Sequence, residues 1–452
     1  MALAVALGAA AVPASNVTTE AGPSDTARQQ AGVLRSTAAE RDAVQVTVYN
    51  QDFALVREVR TLDLATGRID LEFADVAAQI QPETVHIRPL GGAGVEVLEQ
   101  NYRYDLLNPQ KLLEKYVGRT VTVYRTNPET GEEEGVEAEV LSVNGGPILR
   151  IADEITFGYP GRFGFPEVPD NLIAKPTLLW KLDAGGGRQQ VEVSYLTDAL
   201  DWKADYVMVL DETDERAGLT GWVTLTNHSG TTYENARLQL VAGEVRRVSG
   251  QPVPQAAQRG IMLEEVVVTG TAFSERSFFE YHLYTLERPA DVLDNEQKQV
   301  TLLEADDFGV EKRLIFPGAT HYYRGPYGQI TSNQKVGVFL DFENSERNGL
   351  GMPLPKGIVR VYRQDEDGAQ QFVGEDLIDH TPRDERVRIE VGEAFDVVGD
   401  RVQTDYTVLG SCTSESSWRI ELRNHKDEDV SVDLVEPVGG DWEVVSSSLP
   451  YT

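Results

Sequence analysis

Apolar residues in this chain recur at every second position, and that period commits it to sheets. Val44, Val46 and Val48 alternate with polar neighbours. So do Ile69, Leu71 and Phe73; Val191, Val193 and Tyr195; Ala204, Tyr206, Met208 and Leu210; and Trp222, Thr224 and Thr226. Successive side chains of a strand point to opposite faces, so the pattern describes strands with one face buried. Turn residues punctuate it at Asn50-Gln51-Asp52, Thr66-Gly67, Asn144-Gly145, Gly185-Gly186-Gly187 and Asn227-His228-Ser229-Gly230. Such clusters let the backbone reverse at little cost. The expected fold class is all-β.

Residues 1–14 are small and apolar and end in Val12-Pro13-Ala14, which reads as a signal peptide lacking its positive start. Residues 15–41 read as a flexible lead-in. Residues 42–100 read as an N-terminal antiparallel β domain. Residues 101–172 read as one short helix plus a small SH3-like or Sm-like barrel. Asn108 is placed to cap that helix, Pro109 stands at its first position and Gly118 ends it. A β-sandwich follows over 176–248, a Pro/Gln-rich linker over 249–276, and a second sandwich part over 277–452. No apolar run reaches the ~18 residues that a spanning helix needs, so no transmembrane segment is expected.

The 452 residues carry 41 Lys and Arg against 73 Asp and Glu, a net charge of −32. Nucleic-acid binding needs clustered cations, so this balance excludes it as an expected partner. The single cysteine, Cys412, excludes an internal disulfide and a thiolate zinc site. Cys412 reads as a small buried hydrophobe, with a weaker catalytic pairing to His425 set beside it. No His-Glu-x-x-His, Gly-x-Ser-x-Gly or phosphate-cradling Gly-x-x-x-x-Gly-Lys is present. No cofactor and no metal are expected. The acidic groups Glu304-Asp306-Asp307, Asp365-Glu366-Asp367 and Asp427-Glu428-Asp429 match no calcium loop and read as solvated turns.

Several segments carry a resemblance. Gly349-Leu-Gly-Met-Pro-Leu-Pro-Lys-Gly357, Val359-Arg-Val-Tyr362, Phe372-Val-Gly-Glu375, Gly392-Glu-Ala-Phe-Asp-Val397, Leu422-Arg-Asn-His425 and Val435-Glu-Pro-Val438 form a series. With Trp180, Trp202, Tyr206, Trp222 and the aromatic run 278–284, they resemble an uncharacterised bacterial secreted family. Its C-terminal β region is a domain of unknown function also found in mucoidy-inhibitor-A-like proteins. The resemblance covers 176–452 and implies further strands beyond Thr452. It supplies no activity and no catalytic residues. Gly351, Gly357 and Gly374 within it read as turn positions.

Two segments suggest contacts. Leu263-Glu-Glu-Val-Val-Val-Thr-Gly270 resembles the strand-adding peptide by which outer-membrane receptors engage TonB, and reads first as a linker strand on the sandwich. His321, Tyr322, Tyr323, Arg324 and Tyr327 concentrate rings and a cation in a Gly/Pro loop. Exposed, such a loop stacks on a sugar or grips a protein; buried, it is a sandwich corner. The expectation is a non-enzymatic exported protein, periplasmic or extracellular, binding a protein or polysaccharide partner. The alternative is an envelope hydrolase whose carboxylates converge across domains.

Overall fold

The computed structural model describes residues 33–91, 94–103, 105–126, 131–158, 161–169, 172–247, 265–266 and 272–452. The expected signal peptide, and most of the lead-in and the linker, lie outside the described residues. Within them the chain is strand almost throughout, with one α-helix, Pro109–Lys115. The all-β expectation holds.

Two long strands organise the molecule. Phe53–Ala74 and Thr177–Asp198 run antiparallel for 22 residues each, from Phe53 opposite Asp198 to Ala74 opposite Thr177. Thr66-Gly67 and Gly185–Gly187, both expected as turns, sit opposite each other halfway along this ribbon. Gly67, Gly186 and Gly187 adopt φ of 94°, 83° and 88°. A Cβ at residue 186 would stand 2.2 Å from Thr66 Oγ1. These residues bend the ribbon without reversing it, because each strand continues to find hydrogen bonds on the other beyond the bend.

The first sheet gathers around this ribbon. Arg41–Tyr49 pairs with Phe53–Ala74, and Tyr233–Ala242, Tyr281–Leu286, Phe273–Phe278 and Glu265–Val266 follow outward. His86–Pro89 and Val95–Arg103 lie along Thr177–Asp198. The strands assigned by sequence to separate domains, 42–100 and 176–248, therefore share one sheet. Local patterning identifies strands but not their neighbours, and the partner of residue 60 lies 131 positions away at Val191. Phe273–Phe278 also makes strand of the last part of the expected linker.

The residues between Arg103 and Thr177 form an insertion whose ends meet. Arg103 stands opposite Thr177, and the Leu107 N–H donates to Ile173 O at 2.9 Å. Its helix starts as the sequence suggests: Asn108 Oδ1 accepts from the Lys111 N–H at 2.9 Å, and Pro109 needs no partner at the first position; it ends at Tyr116, two residues before the expected Gly118. Leu112 and Leu113 face a small core of Tyr116, Val121, Val123, Ala138, Val140 and Leu149. The five strands lie in the order Arg162–Gly164, Thr120–Thr126, Glu133–Ser142, Ile148–Ile151, Glu154–Phe157. The expected barrel does not close: no pairing joins the two outer strands. At three and four residues they are too short to tilt around and meet.

The second sheet covers the first. Its order is Glu296–Gly309, Arg216–Asn227, Leu200–Leu210, Gly357–Gln364, Gln370–Ile378. Trp180, Tyr195, Trp202, Tyr206 and Tyr284 fill the interface with the aliphatic residues of both sheets. Of the three glycines expected in turns, Gly351 has φ 98° and does turn the chain. Gly357 and Gly374 lie inside strands instead. A Cβ on Gly357 would meet Ala204 O at 2.3 Å, and one on Gly374 would meet Val391 O at 2.0 Å. Their role is close backbone approach.

The third sheet runs Thr413–Asn424, Arg386–Gly410, Gln329–Glu343, Glu311–Pro317, Val432–Val435. Its inner half lends Leu340, Phe342, Val387 and Ile389 to the main core. Its outer half builds a core of its own from Leu314, Phe316, Val336, Ala394 and Val397. Past Val402 the strand Arg386–Gly410 has lost Gln329–Glu343 and pairs with Thr413–Asn424 alone. Residues 403–418 thus form a two-stranded arm beyond the sheet.

Charge is buried inside the sandwich. Glu58 and Arg60 are both fully buried, with Arg60 Nη2 2.8 Å from Glu58 Oε2 and Arg41 Nε 3.1 Å from the same oxygen. Tyr195 OH donates to Glu58 Oε1 at 3.0 Å. Burial first, then the Glu58 charge, pushes that phenol far above its ordinary value, so it stays a donor. Arg60 also lies 3.5 Å from the centre of the Phe73 ring. Breaking one member of such a set leaves buried charge uncompensated. Glu58→Ala is expected to cost roughly 3–5 kcal/mol, measured as a lower urea midpoint; an unchanged midpoint would show the three charges are not coupled.

His380 ties the two sheets to the loop that precedes Gly357. Its Nδ1 accepts from the Lys356 N–H at 3.1 Å, so that nitrogen carries no proton. Tyr206 OH and Tyr284 OH hold the same loop through Pro355 O and Pro353 O, each at 2.8 Å. Burial lowers the His380 pKa, with Lys356 and His282 adding to the effect against Asp379 and Glu244. Neutral His380 is the form the fold accommodates. Its contribution is complete above the unfolded imidazole value of about 6.5 and is lost as pH falls towards the lower folded value. Wild-type stability should drop from pH 7 to pH 5.5 by more than that of His380→Gln, in paired urea titrations. Equal drops would exclude the mechanism.

Candidate functional site

The loop His321–Tyr327 sits at the root of the arm, and the structure divides its residues between two roles. His321, Arg324 and Tyr327 are exposed, with Tyr327 at 45%. Tyr322 and Tyr323 are half-buried. His321 meets Tyr322 edge-on at 4.6 Å between ring centres and Tyr327 at 6.2 Å. Arg324 makes no ion pair among the described residues.

Residues distant in sequence hold the loop in place. Arg401, with 1% of its side chain exposed, lies 4.9 Å from the Phe316 ring centre and 5.2 Å from that of Tyr322. Its Nη1 donates to Pro317 O at 3.0 Å and its Nη2 to Glu436. Tyr323 OH donates to the other oxygen of Glu436. Burial, with the Glu436 carboxylate beside it, pushes the Tyr323 phenol well up, so it remains protonated. Trp418 packs edge-on against Tyr323 at 5.6 Å and at a tilt against Tyr322 at 6.1 Å. Gln403 clamps the loop backbone: its Nε2 donates to Gly325 O at 3.0 Å and its Oε1 accepts from the Tyr327 N–H at 2.6 Å.

Trp418, Arg401, Gln403 and Glu436 escaped the sequence reading. They lie tens of residues from the loop, three on other strands and Glu436 just past the last one, and nothing local marks them. The resulting surface is a rigid set of rings beside one unpaired cation. It offers stacking and a charge-assisted hydrogen bond, and it contains no nucleophile with an adjacent base.

The other sequence suggestions are placed apart. Cys412 is exposed at the tip of the arm, so the expectation of a buried cysteine is corrected. The tip turn, between Gly410 and Thr413, leaves it no core to enter. His425 follows the far end of the twelve-residue strand Thr413–Asn424, about 40 Å away at 3.3 Å per residue. The two do not pair. Asp365 Oδ1 accepts from the Asp367 and Ala369 N–H groups of its own turn and its Oδ2 from Gln371, and Asp307 pairs with Arg216. Among the described residues no three His, Cys, Asp or Glu converge to hold a metal ion. Of the segment 263–270 only Glu265–Val266 is described, as a short strand on Glu275 and Arg276 at the edge of the first sheet. The rest lies outside the described residues.

A cleft of about 560 Å³ is lined by Arg41, Asp42, Asp75, Lys175, Glu234 and Asp294 among others. Burial raises the Asp75 carboxyl, but the Ala38 N–H at 2.9 Å and Lys175 at 2.8 Å outweigh it and hold it below its ordinary range. Asp201 is lifted by burial, yet it stands beside Asp52 and outside the cleft.

Trp418→Ala should release the arm without unfolding the sheets, since an aromatic contact of this kind is worth about 0.5–1.5 kcal/mol. Amide exchange over residues 403–418 is expected to accelerate while residues 53–74 keep their protection. Unchanged exchange in the arm would show that the ring cluster does not anchor it. No protein-family model, no curated protein and no solved structure matches the chain.

Proposed function

We propose that this chain is a non-enzymatic, exported envelope protein that binds a protein or polysaccharide partner through the loop His321–Tyr327. One observation carries the reading: exposed His321, Arg324 and Tyr327 stand on a base that Arg401, Gln403 and Glu436 make rigid. Preformed aromatic surface loses little conformational entropy on binding, which is why such rings dominate interfaces. The net charge of −32 supports a partner other than nucleic acid or an anionic membrane. Export rests on the apolar segment 1–14, and membership of the secreted family rests on the resemblance over 176–452.

The full-length chain should capture a partner from an envelope extract. The triple variant His321→Ala, Arg324→Ala, Tyr327→Ala should retain roughly a tenth of that capture or less, as loss of central aromatic and Arg contacts does. Its thermal midpoint should stay near that of the wild type, because the three side chains are exposed. Undiminished capture would place the contact elsewhere. Degradation of a wall polymer by the purified chain would make it an enzyme.

A further inference from the structure

We infer that the free edge of strand Thr413–Asn424 pairs with the same edge of a second copy, joining two five-stranded sheets into one. This goes beyond the partner bound by the aromatic loop and does not depend on it.

Thr413–Asn424 is the terminal strand of the third sheet, with Arg386–Gly410 on one side and no strand on the other among the described residues. A row of unpaired backbone groups is a template for another strand, and protein edges are commonly blunted by Lys, Pro or a bulge. The sequence TSESSWRIELRN contains neither Lys nor Pro.

The side chains of this edge are self-complementary on both faces when the pairing is centred on Ile420. Trp418, Ile420 and Leu422 fall on one face, and Arg419, Glu421 and Arg423 on the other. A twofold axis makes the pairing antiparallel and isologous. Centred on Ile420, it sets Arg419 opposite Glu421 of the second copy and Glu421 opposite its Arg419. On the other face it sets Ile420 against Ile420 and Trp418 against Leu422. Moving the centre to Arg419 sets Arg419 against itself. Moving it to Glu421 sets Glu421 against itself and Arg419 against Arg423. Opposite charges across a strand pair stabilise and like charges destabilise, so both neighbouring centres lose to Ile420. Centring on Leu422 also sets Glu421 opposite Arg423, but Arg423 is already held by Asp400 and Ile420 would then face Asn424, so the Ile420 register, which matches apolar with apolar, wins.

The apolar face gives the pairing something to bury. Ile420 packs on the outer core of the third sheet, and Leu422 beside Phe316 is left 40% exposed. That core has five buried residues, and Ile420 of the edge strand is only partly buried against it. A second copy would close it. On the polar face Arg419 and Glu421 are 63% and 57% exposed, paired with each other at 3.1 Å. The same two groups can therefore form an alternating four-charge set across the axis.

Sedimentation velocity on the full chain at 0.15 M salt should show a dimer in equilibrium with monomer. Glu421→Arg or Arg419→Glu alone places two like-charge contacts at the axis and should weaken dimerisation by roughly tenfold or more. The double variant Arg419→Glu, Glu421→Arg should restore it. Both residues are exposed, so circular dichroism should show every variant folded. Register is read by cross-linking in a Cys412→Ser background under a mild oxidant. Ile420→Cys should form a covalent dimer, because directly opposite Cα atoms lie about 4.5–5.5 Å apart. Ser416→Cys should not, because its mate is then Asn424. A monomer at all concentrations, a double variant no better than the singles, or equal cross-linking at residues 416 and 420 would each overturn the inference.

Discussion

The pairing of Phe53–Ala74 with Thr177–Asp198 is the constraint on which the rest depends. It joins segments more than a hundred residues apart, so its loop-closure entropy is met only by the many cross-strand pairs it then forms. Every other strand of the first sheet is placed by this ribbon, and the second sheet packs on the face it presents. The helix-containing insertion is possible because the ribbon brings Arg103 and Thr177 together, so a whole module fits in the gap without disturbing the sheet.

The same ribbon carries the buried charges. Glu58, Arg60 and Tyr195 lie on its two strands, and Arg41 reaches in from the neighbour. Two guanidinium groups share one carboxylate, with a phenol and the Phe73 ring completing the shell. Such a set adds little net stability compared with apolar packing, but it tolerates few alternative registers. A slip of one residue would turn both charges to the opposite face.

Alternation identified the strands around Val44–Val48, Val191–Tyr195 and Leu200–Leu210, because period two is a local property of a half-buried strand. The Asn108 cap and Pro109 identified the helix for the same reason: the groups involved are three residues apart. Glycine misled where it was read alone. Gly67 and Gly186 bend a continuing ribbon, and Gly357 and Gly374 allow backbones to cross closely, yet in sequence all four resemble turns. Of the aromatic site, the sequence showed the loop His321–Tyr327 and nothing of Arg401, Gln403, Trp418 or Glu436. Those four belong to strands and a tail that only the third sheet brings to the loop.

By itself the sequence determined an all-β chain, acidic overall, without a recognisable catalytic motif. These follow from side-chain period, charge count and short-range spacing, each of which is complete within a few residues. Tertiary structure alone decided which strands became neighbours, that the small module stayed an open sheet, and that Cys412 and His425 ended far apart. It also decided which loop residues stayed exposed. Those outcomes depend on hydrogen bonds and packing between residues far apart in the chain, and no local pattern encodes them.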